Sequence, residues 1–196
     1  MKNFIIALKL FVLMTILLGI VYPLFITGIT RLIFPHRANG SLINLNDKVI
    51  GSYLIGQKFE NERYFWPRPS AIDYNQLPSG GSNLGPTSAD LEKQIIQRRS
   101  MLLAANGLSE GTIIPQDLLF ASASGLDPHI SPEAARFQVN RIARARGFDM
   151  NGENELHKLV DKYIELRVLQ LLGEPRINVL KINLALDSLE ARLERK

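Results

Sequence analysis

The 196 residues weigh 22.0 kDa, room for one modest domain and little more. Hydrophobic residues make up 46% and charged residues 21%, which excludes a wholly disordered chain. The +4 net charge arises from Lys2, Lys9 and Arg31 at the N-terminus, and the rest carries 20 basic against 19 acidic residues, without the basic excess of a nucleic-acid binder. Cysteine is absent, which removes disulfides, thiol nucleophiles and Cys-ligated zinc or iron–sulfur centres.

The chain opens with its most apolar stretch, and no charged side chain falls between Lys9 and Arg31. Leu10 to Thr30 would span about 31 Å as a helix, close to a bilayer's hydrocarbon thickness of about 30 Å. Leu10, Leu17, Gly19, Pro23 and Thr30 mark this anchor, with Pro23 expected to kink the helix or end its regular part. A cleaved signal peptide is the rival, but the run is longer than an ordinary signal core and Gly28-x-Thr30 is a poor cleavage site. Flanking positive charges are nearly balanced, leaning to an inside N-terminus.

The fold class expected is α+β: one N-terminal transmembrane helix, then a single extracytoplasmic mixed α/β domain. Residues 1–34 form the anchor, 35–47 a polar tether, and 48–196 the domain. Lys48 to Phe59 reads as a strand interrupted by Gly51 and Gly56. Glu60 to Pro86 reads as a long irregular loop, ordered because Tyr64, Phe65, Trp66 and Tyr74 crowd it. A helix over Ser88–Asn106 follows, with Thr87-x-x-Asp90 at its start, a stripe of Leu91, Ile95 and Leu102, and Gly107 at its end. Ser131-Pro132 opens a second helix that stops at Gly147. Its buried face is Ala135, Val139, Ile142 and Ala143, with Arg136, Arg141 and Arg144 on the solvated side. A third amphipathic helix covers Glu153 to Leu172, Leu156, Leu159, Val160, Tyr163 and Leu166 facing inward and Lys158, Asp161, Lys162 and Glu165 outward. Ile177 to Leu186 reads as a buried strand.

Motifs for chemistry are weak. Gly51-x-x-x-x-Gly56-Gln57-Lys58 lacks the lysine directly after glycine and the hydroxyl residue that a phosphate loop needs. Ser122, Ser124, Asp127 and His129 invite a hydrolase reading, but they crowd one loop without a nucleophile elbow. His36, His129 and His157 are scattered, without metal-ligand spacing. The glycines of Ser79–Pro86 suit an anion nest or a close partner, although a turn-rich surface loop explains them equally.

Several long runs, in order, resemble one family. GSYLIGQKF from Gly51, YFWPRPSAIDYN from Tyr64, SGGSNLGP from Ser79, ASASGLDPHISPEAARFQVNRIARARG from Ala121 and GEPRINVLKINLALD from Gly173 are similar to the KdpC family, the C subunit of the bacterial potassium-transporting P-type ATPase. The resemblance implies a non-catalytic accessory subunit of a high-affinity ATP-driven potassium uptake pump. Such a subunit stabilises or assembles the complex and modulates ion entry or ATP use. It implies KdpA (channel-like), KdpB (the P-type ATPase) and the small KdpF as partners, with membrane lipid and no nucleic acid. It also implies a bacterial inner-membrane location, single-pass, with a cytoplasmic N-terminus and an outer domain. The chain itself would bind no cofactor and no metal, potassium and ATP-Mg being handled by the complex. Arg68, Ser79, Gly80, Gly81, Asn83, Asp127 and His129 are the family-motif positions expected to contact a partner or shape the domain. A stand-alone anchored binding module is the alternative.

Overall fold

The computed structural model describes residues 1–45 and 47–195; Asn46 of the expected tether and Lys196 at the expected domain's end lie outside the described residues. The chain divides into two compact units, Met1–Ser52 and Tyr53–Lys196.

The first unit opens with one helix over Lys2–Ile33, about 48 Å long at 1.5 Å per residue. It comprises α1 (Lys2–Ile16), a π-helical turn (Leu17–Val21) and α2 (Tyr22–Ile33). Pro23 does not end the helix, contrary to one of the two expected outcomes. The preceding π-turn, in which Tyr22 N–H donates to Leu17 O five residues back, shifts the hydrogen-bond register just ahead of the residue that has no N–H. Leu10, Leu17, Gly19 and Pro23 lie on an exposed surface, and Thr30 returns its hydroxyl to Ile26 O at 2.8 Å. The segment is long and apolar enough to cross a membrane.

The expected tether carries structure. A short α3 (Pro35–Ala38) leads to an antiparallel hairpin of β1 (Leu42–Leu45) and β2 (Lys48–Ser52), with a register shift between Ile43 and Asn44. Pairing with β1 draws Lys48–Ser52 into the first unit, so the division falls after Ser52 and not before Lys48.

The expected strand does not reach Phe59. Beyond Ser52 the chain turns into irregular packing, where Gly56 N–H donates to Leu126 O at 2.7 Å. A Cβ on Gly56 would lie 2.6 Å from Asp127 O, so glycine is needed for the approach. The loop that follows is irregular and ordered, as its aromatics require, and Phe65 is wholly buried.

Four longer helices build the second unit. In α4 (Ala89–Asn106) the N-cap is Ser88, whose Oγ accepts from Leu91 N–H, rather than the expected Thr87; Gly107 ends it at φ +64°. After the short α5 (Gln116–Leu119), β3 (His129–Ile130) leads into α6 (Pro132–Arg146). Ser131 Oγ caps α6 by accepting from Ala134 N–H at 3.0 Å, and Gly147 closes it at φ +67°, as its sequence indicates. The third expected helix is shorter and earlier: α7 covers Met150–Lys162, capped by Asp149. Leu166 therefore does not face inward but is exposed, and Glu165 is half-buried.

The expected strand over Ile177–Leu186 is mostly helix. Only β4 (Ile177–Asn178) pairs, antiparallel to β3, and α8 (Val179–Leu193) follows. Asn178 Oδ1 accepts from Lys181 N–H and starts the turn, after which Val179, Ile182, Leu186 and Leu189 form a helical stripe. That stripe meets Val139 and Ile142 of α6, Leu156 and Val160 of α7, and Phe65 in one apolar core.

Arg141 overturns its expected place on a solvated face: it is fully buried. Its guanidinium donates to Glu62 O at 3.0 Å and Tyr64 O at 2.9 Å, and stacks 3.9 Å from the Trp66 ring centroid. Arg146 Nε donates to Arg63 O at 2.8 Å. Asn183 and Gln138 take the carbonyls of Phe65 and Trp66 at 3.0 and 3.2 Å. Five consecutive loop carbonyls, from Glu62 to Trp66, are thus satisfied by helix side chains on either side of the buried Phe65. Burial lowers the Arg141 pKa to about 10, which leaves the group charged at neutral pH.

Candidate functional site

The YFWPRP segment leaves this clamp and delivers Arg68 to the loop that precedes α6. Arg68 Nη1 lies 3.1 Å from Asp127 Oδ2, joining residues 59 positions apart. Asp127 Oδ1 accepts the His129 backbone N–H at 3.0 Å, and His129 Nδ1 lies 3.5 Å from the same oxygen. The other imidazole nitrogen is 4.0 Å from Glu165 Oε2. Glu165 in turn accepts from Lys181 Nζ at 2.8 Å and Arg176 Nε at 3.3 Å. The result is a continuous half-buried polar chain: Arg68, Asp127, His129, Glu165 and Lys181.

Burial pushes the Asp127 carboxyl up, but the hydrogen bonds from His129 and the Arg68 charge outweigh it and hold it below the ordinary carboxylate value. Glu165 behaves alike: burial raises it, and the Lys181 and Arg176 partners bring it lower overall. Tyr74, whose hydroxyl donates to Arg68 O, is driven up by burial and by the nearby Asp127 charge.

Backbone interlocks hold the two loops in register. Ser122 N–H donates to Pro69 O at 3.1 Å, and Ser70 Oγ donates to Gly125 O at 2.8 Å. A Cβ on Gly81 would lie 2.8 Å from Ala123 O, so this glycine lets the SGGS run close on the ASASG run. Gly125, at φ +70°, approaches Gly80 O in the same way. Gly80 itself has open space where a side chain would go. Ser79 and Asn83 are exposed, Asn83 in the left-handed region at φ +53°.

The seven expected positions therefore separate. Arg68, Asp127 and His129 meet in one polar cluster; Gly81 serves loop-to-loop closure; Ser79, Gly80 and Asn83 present an open rim. A hydrolase arrangement does not form: Ser122 is buried, Ser124 Oγ accepts from Leu126 N–H at 3.1 Å, and His129 faces carboxylates on both sides. Among the described residues no three histidine or carboxylate side chains gather into a metal-holding group.

Sequence reasoning missed Glu165 and Lys181, which looked like ordinary helix or strand positions. It also missed a cavity of about 320 Å³ beside the cluster, lined by Phe59, Trp66, Pro67, Tyr74 and Met101. Lys58 stands at this cavity, 2.9 Å from Asp73 and 2.8 Å from Glu60, and those two partners hold it charged above its ordinary range. The crowding of aromatics in the loop was the only signal for the cavity.

Comparison with known proteins places this arrangement in a family. The family described as "K+-transporting ATPase, c chain" (KdpC) matches residues 4–188. A potassium-transporting ATPase KdpC subunit of Geotalea uraniireducens is 51% identical over 187 residues, covering 93% of this chain and 96% of that protein. The KdpC subunit of Citrifermentans bemidjiense is 47% identical over 196 residues, covering 98% and 100%. That of Rhodospirillum rubrum is 50% identical over 183 residues, covering 92% and 93%. The chain belongs to the KdpC family, and with its apolar N-terminal helix it is a membrane protein.

Proposed function

We propose that the chain is the non-catalytic accessory subunit of a high-affinity, ATP-driven potassium uptake pump, stabilising or assembling the complex and modulating ion entry or ATP use. Its partners are KdpA, KdpB and KdpF. It is a single-pass protein of the bacterial inner membrane, with a cytoplasmic N-terminus and its second unit outside. It holds no cofactor of its own; potassium and ATP-Mg belong to the complex. The observation that carries the reading is the match over residues 4–188 to a family named for a transport ATPase's C chain. The site agrees with it. Asp127 is engaged by Arg68 and His129, and Ser124 by Leu126 N–H, as in a folded docking platform rather than a reaction centre.

The test is affinity recovery of the full chain from mildly solubilised membranes of potassium-starved cells, assayed for potassium-stimulated ATPase activity. Co-recovery of a multi-span subunit and a P-type ATPase, with activity that depends on this chain, is expected. Recovery of the chain alone in several mild detergents would overturn the reading. Asp127→Ala and His129→Ala should lower complex recovery or potassium affinity while leaving membrane insertion intact.

A further inference from the structure

Tyr163 and Ile164 follow α7 and still pack against the core, and from Glu165 the chain projects a narrow hairpin. Glu165 and Arg176 exchange both backbone hydrogen bonds, at 2.8 and 3.0 Å, and Val168 and Leu172 exchange theirs, both at 2.9 Å. The turn at the tip is Leu169-Gln170, both in the left-handed region at φ +53° and +62°. A leucine held there is uncommon, because its Cβ crowds the backbone. The five aliphatic side chains of this segment point to solvent: Leu166, Val168, Leu169, Leu171 and Leu172 are 59–81% exposed. Scattered exposed leucines need no explanation, but five within seven residues at a strained tip do.

We infer that the Glu165–Arg176 hairpin inserts its aliphatic tip into the interface of an anionic lipid bilayer. Three features select lipid over a protein socket. The tip's backbone is paired within itself, Leu171 N–H to Val168 O at 3.2 Å and Gln170 N–H to Arg167 O at 3.0 Å besides the two exchanged pairs. Entry into an apolar phase demands that, because nothing there replaces water as a partner. Between Glu165 and Glu174 the only charged residue is Arg167, so the tip carries positive charge and no acid, matching an anionic headgroup layer. Finally, nineteen residues separate Ile33, the end of the membrane helix, from Tyr53, the start of the second unit. So short a connection, part of it folded into α3 and the β1–β2 hairpin, keeps a bilayer surface at high effective concentration, and weak insertion suffices. The inference rests on the membrane anchor and not on the subunit reading.

The cysteine-free sequence makes the test direct. Full-length Leu169→Cys, Leu171→Cys and, as a control on another exposed turn, Ser109→Cys are labelled with an environment-sensitive fluorophore. Each is reconstituted in vesicles of phosphatidylcholine and phosphatidylglycerol containing brominated lipid. The labels at 169 and 171 should shift to the blue and lose intensity on brominated lipid, several-fold more than the label at 109, and the difference should shrink as phosphatidylglycerol is withdrawn. Equal, water-like emission at all three positions would overturn the inference. So would shielding at 169 and 171 that arises only when the other pump subunits are present, which would assign the tip to a protein socket. Because the readout uses the chain alone, failure of partner recovery leaves it unaffected.

Discussion

Asn183 and Phe65 pair as two strands would, although one is a helix side chain and the other a loop backbone. Phe65 N–H donates to Asn183 Oδ1 at 2.8 Å, and Asn183 Nδ2 donates back to Phe65 O at 3.0 Å. Gln138 repeats the arrangement one residue on, accepting from Trp66 N–H at 2.7 Å and donating to Trp66 O. The α6 and α8 side chains thus stand in for the neighbouring strands that the YFWP segment lacks.

Replacing Asn183 with leucine keeps the volume but leaves one buried donor and one buried acceptor unpaired. Each such group costs about 1–3 kcal/mol, so a loss of about 2–6 kcal/mol is expected. Trp66 is the chain's single tryptophan, and its fluorescence during urea denaturation of the detergent-solubilised protein reads the change. An unchanged midpoint would show that the pairing contributes nothing.

Arg141→Lys retains the charge but not the planar fork that reaches Glu62 O and Tyr64 O together. A destabilisation of about 2–4 kcal/mol follows from the part-buried carbonyls left unpaired beside a fully buried charge. The native emission of Trp66 should shift as well, since the guanidinium stacks on its ring. Arg136→Lys, on the exposed face of the same helix, should shift stability by less than about 0.5 kcal/mol.

Acid should loosen the polar chain. Asp127 has a folded pKa below its unfolded value of about 3.9. The unfolded chain then binds the proton first, so the stabilisation is fully present above about pH 4 and is lost as pH falls through the lower folded value. Glu165 adds a second carboxylate of the same sign. Denaturation midpoints between pH 6 and pH 2.5 should fall in the native chain and fall less steeply in Asp127→Asn.

The SGGS glycines separate folding from docking. Gly81→Ala places a Cβ against Ala123 O and should cost about 1–3 kcal/mol. Gly80→Ala meets open space and should leave the denaturation midpoint within about 0.5 kcal/mol. If Gly80→Ala nevertheless lowers recovery of the pump subunits, the open rim faces a partner. Full recovery would confine the motif to shaping the domain.

Legibility followed the range of the interactions. Ser131-Pro132 and Gly147 bound α6 correctly because a cap acts within three or four residues. The α7 reading ran ten residues too far, because Leu166 continues the apolar spacing of Leu156, Leu159 and Tyr163. Nothing local reveals that Glu165 instead pairs across a hairpin with Arg176 and with Lys181 of α8. The run INVLKINLAL, rich in β-branched residues, reads as strand, and the cap at Asn178 converts it to helix after two residues. Arg68, Asp127 and His129 were legible as motif positions, but their meeting was not.

The sequence by itself determined the apolar helix, the C-terminal end of α4, both edges of α6, the irregular aromatic loop and the family. These rest on hydropathy, on spacing within a few residues, and on long matching runs. Only the tertiary structure decided that Arg141, Arg146, Gln138 and Asn183 are interior groups and that Leu166–Leu172 is a solvent-facing tip. An irregular segment cannot satisfy its own carbonyls, so its donors must come from helices as far as 118 positions away. No pattern within the segment names them.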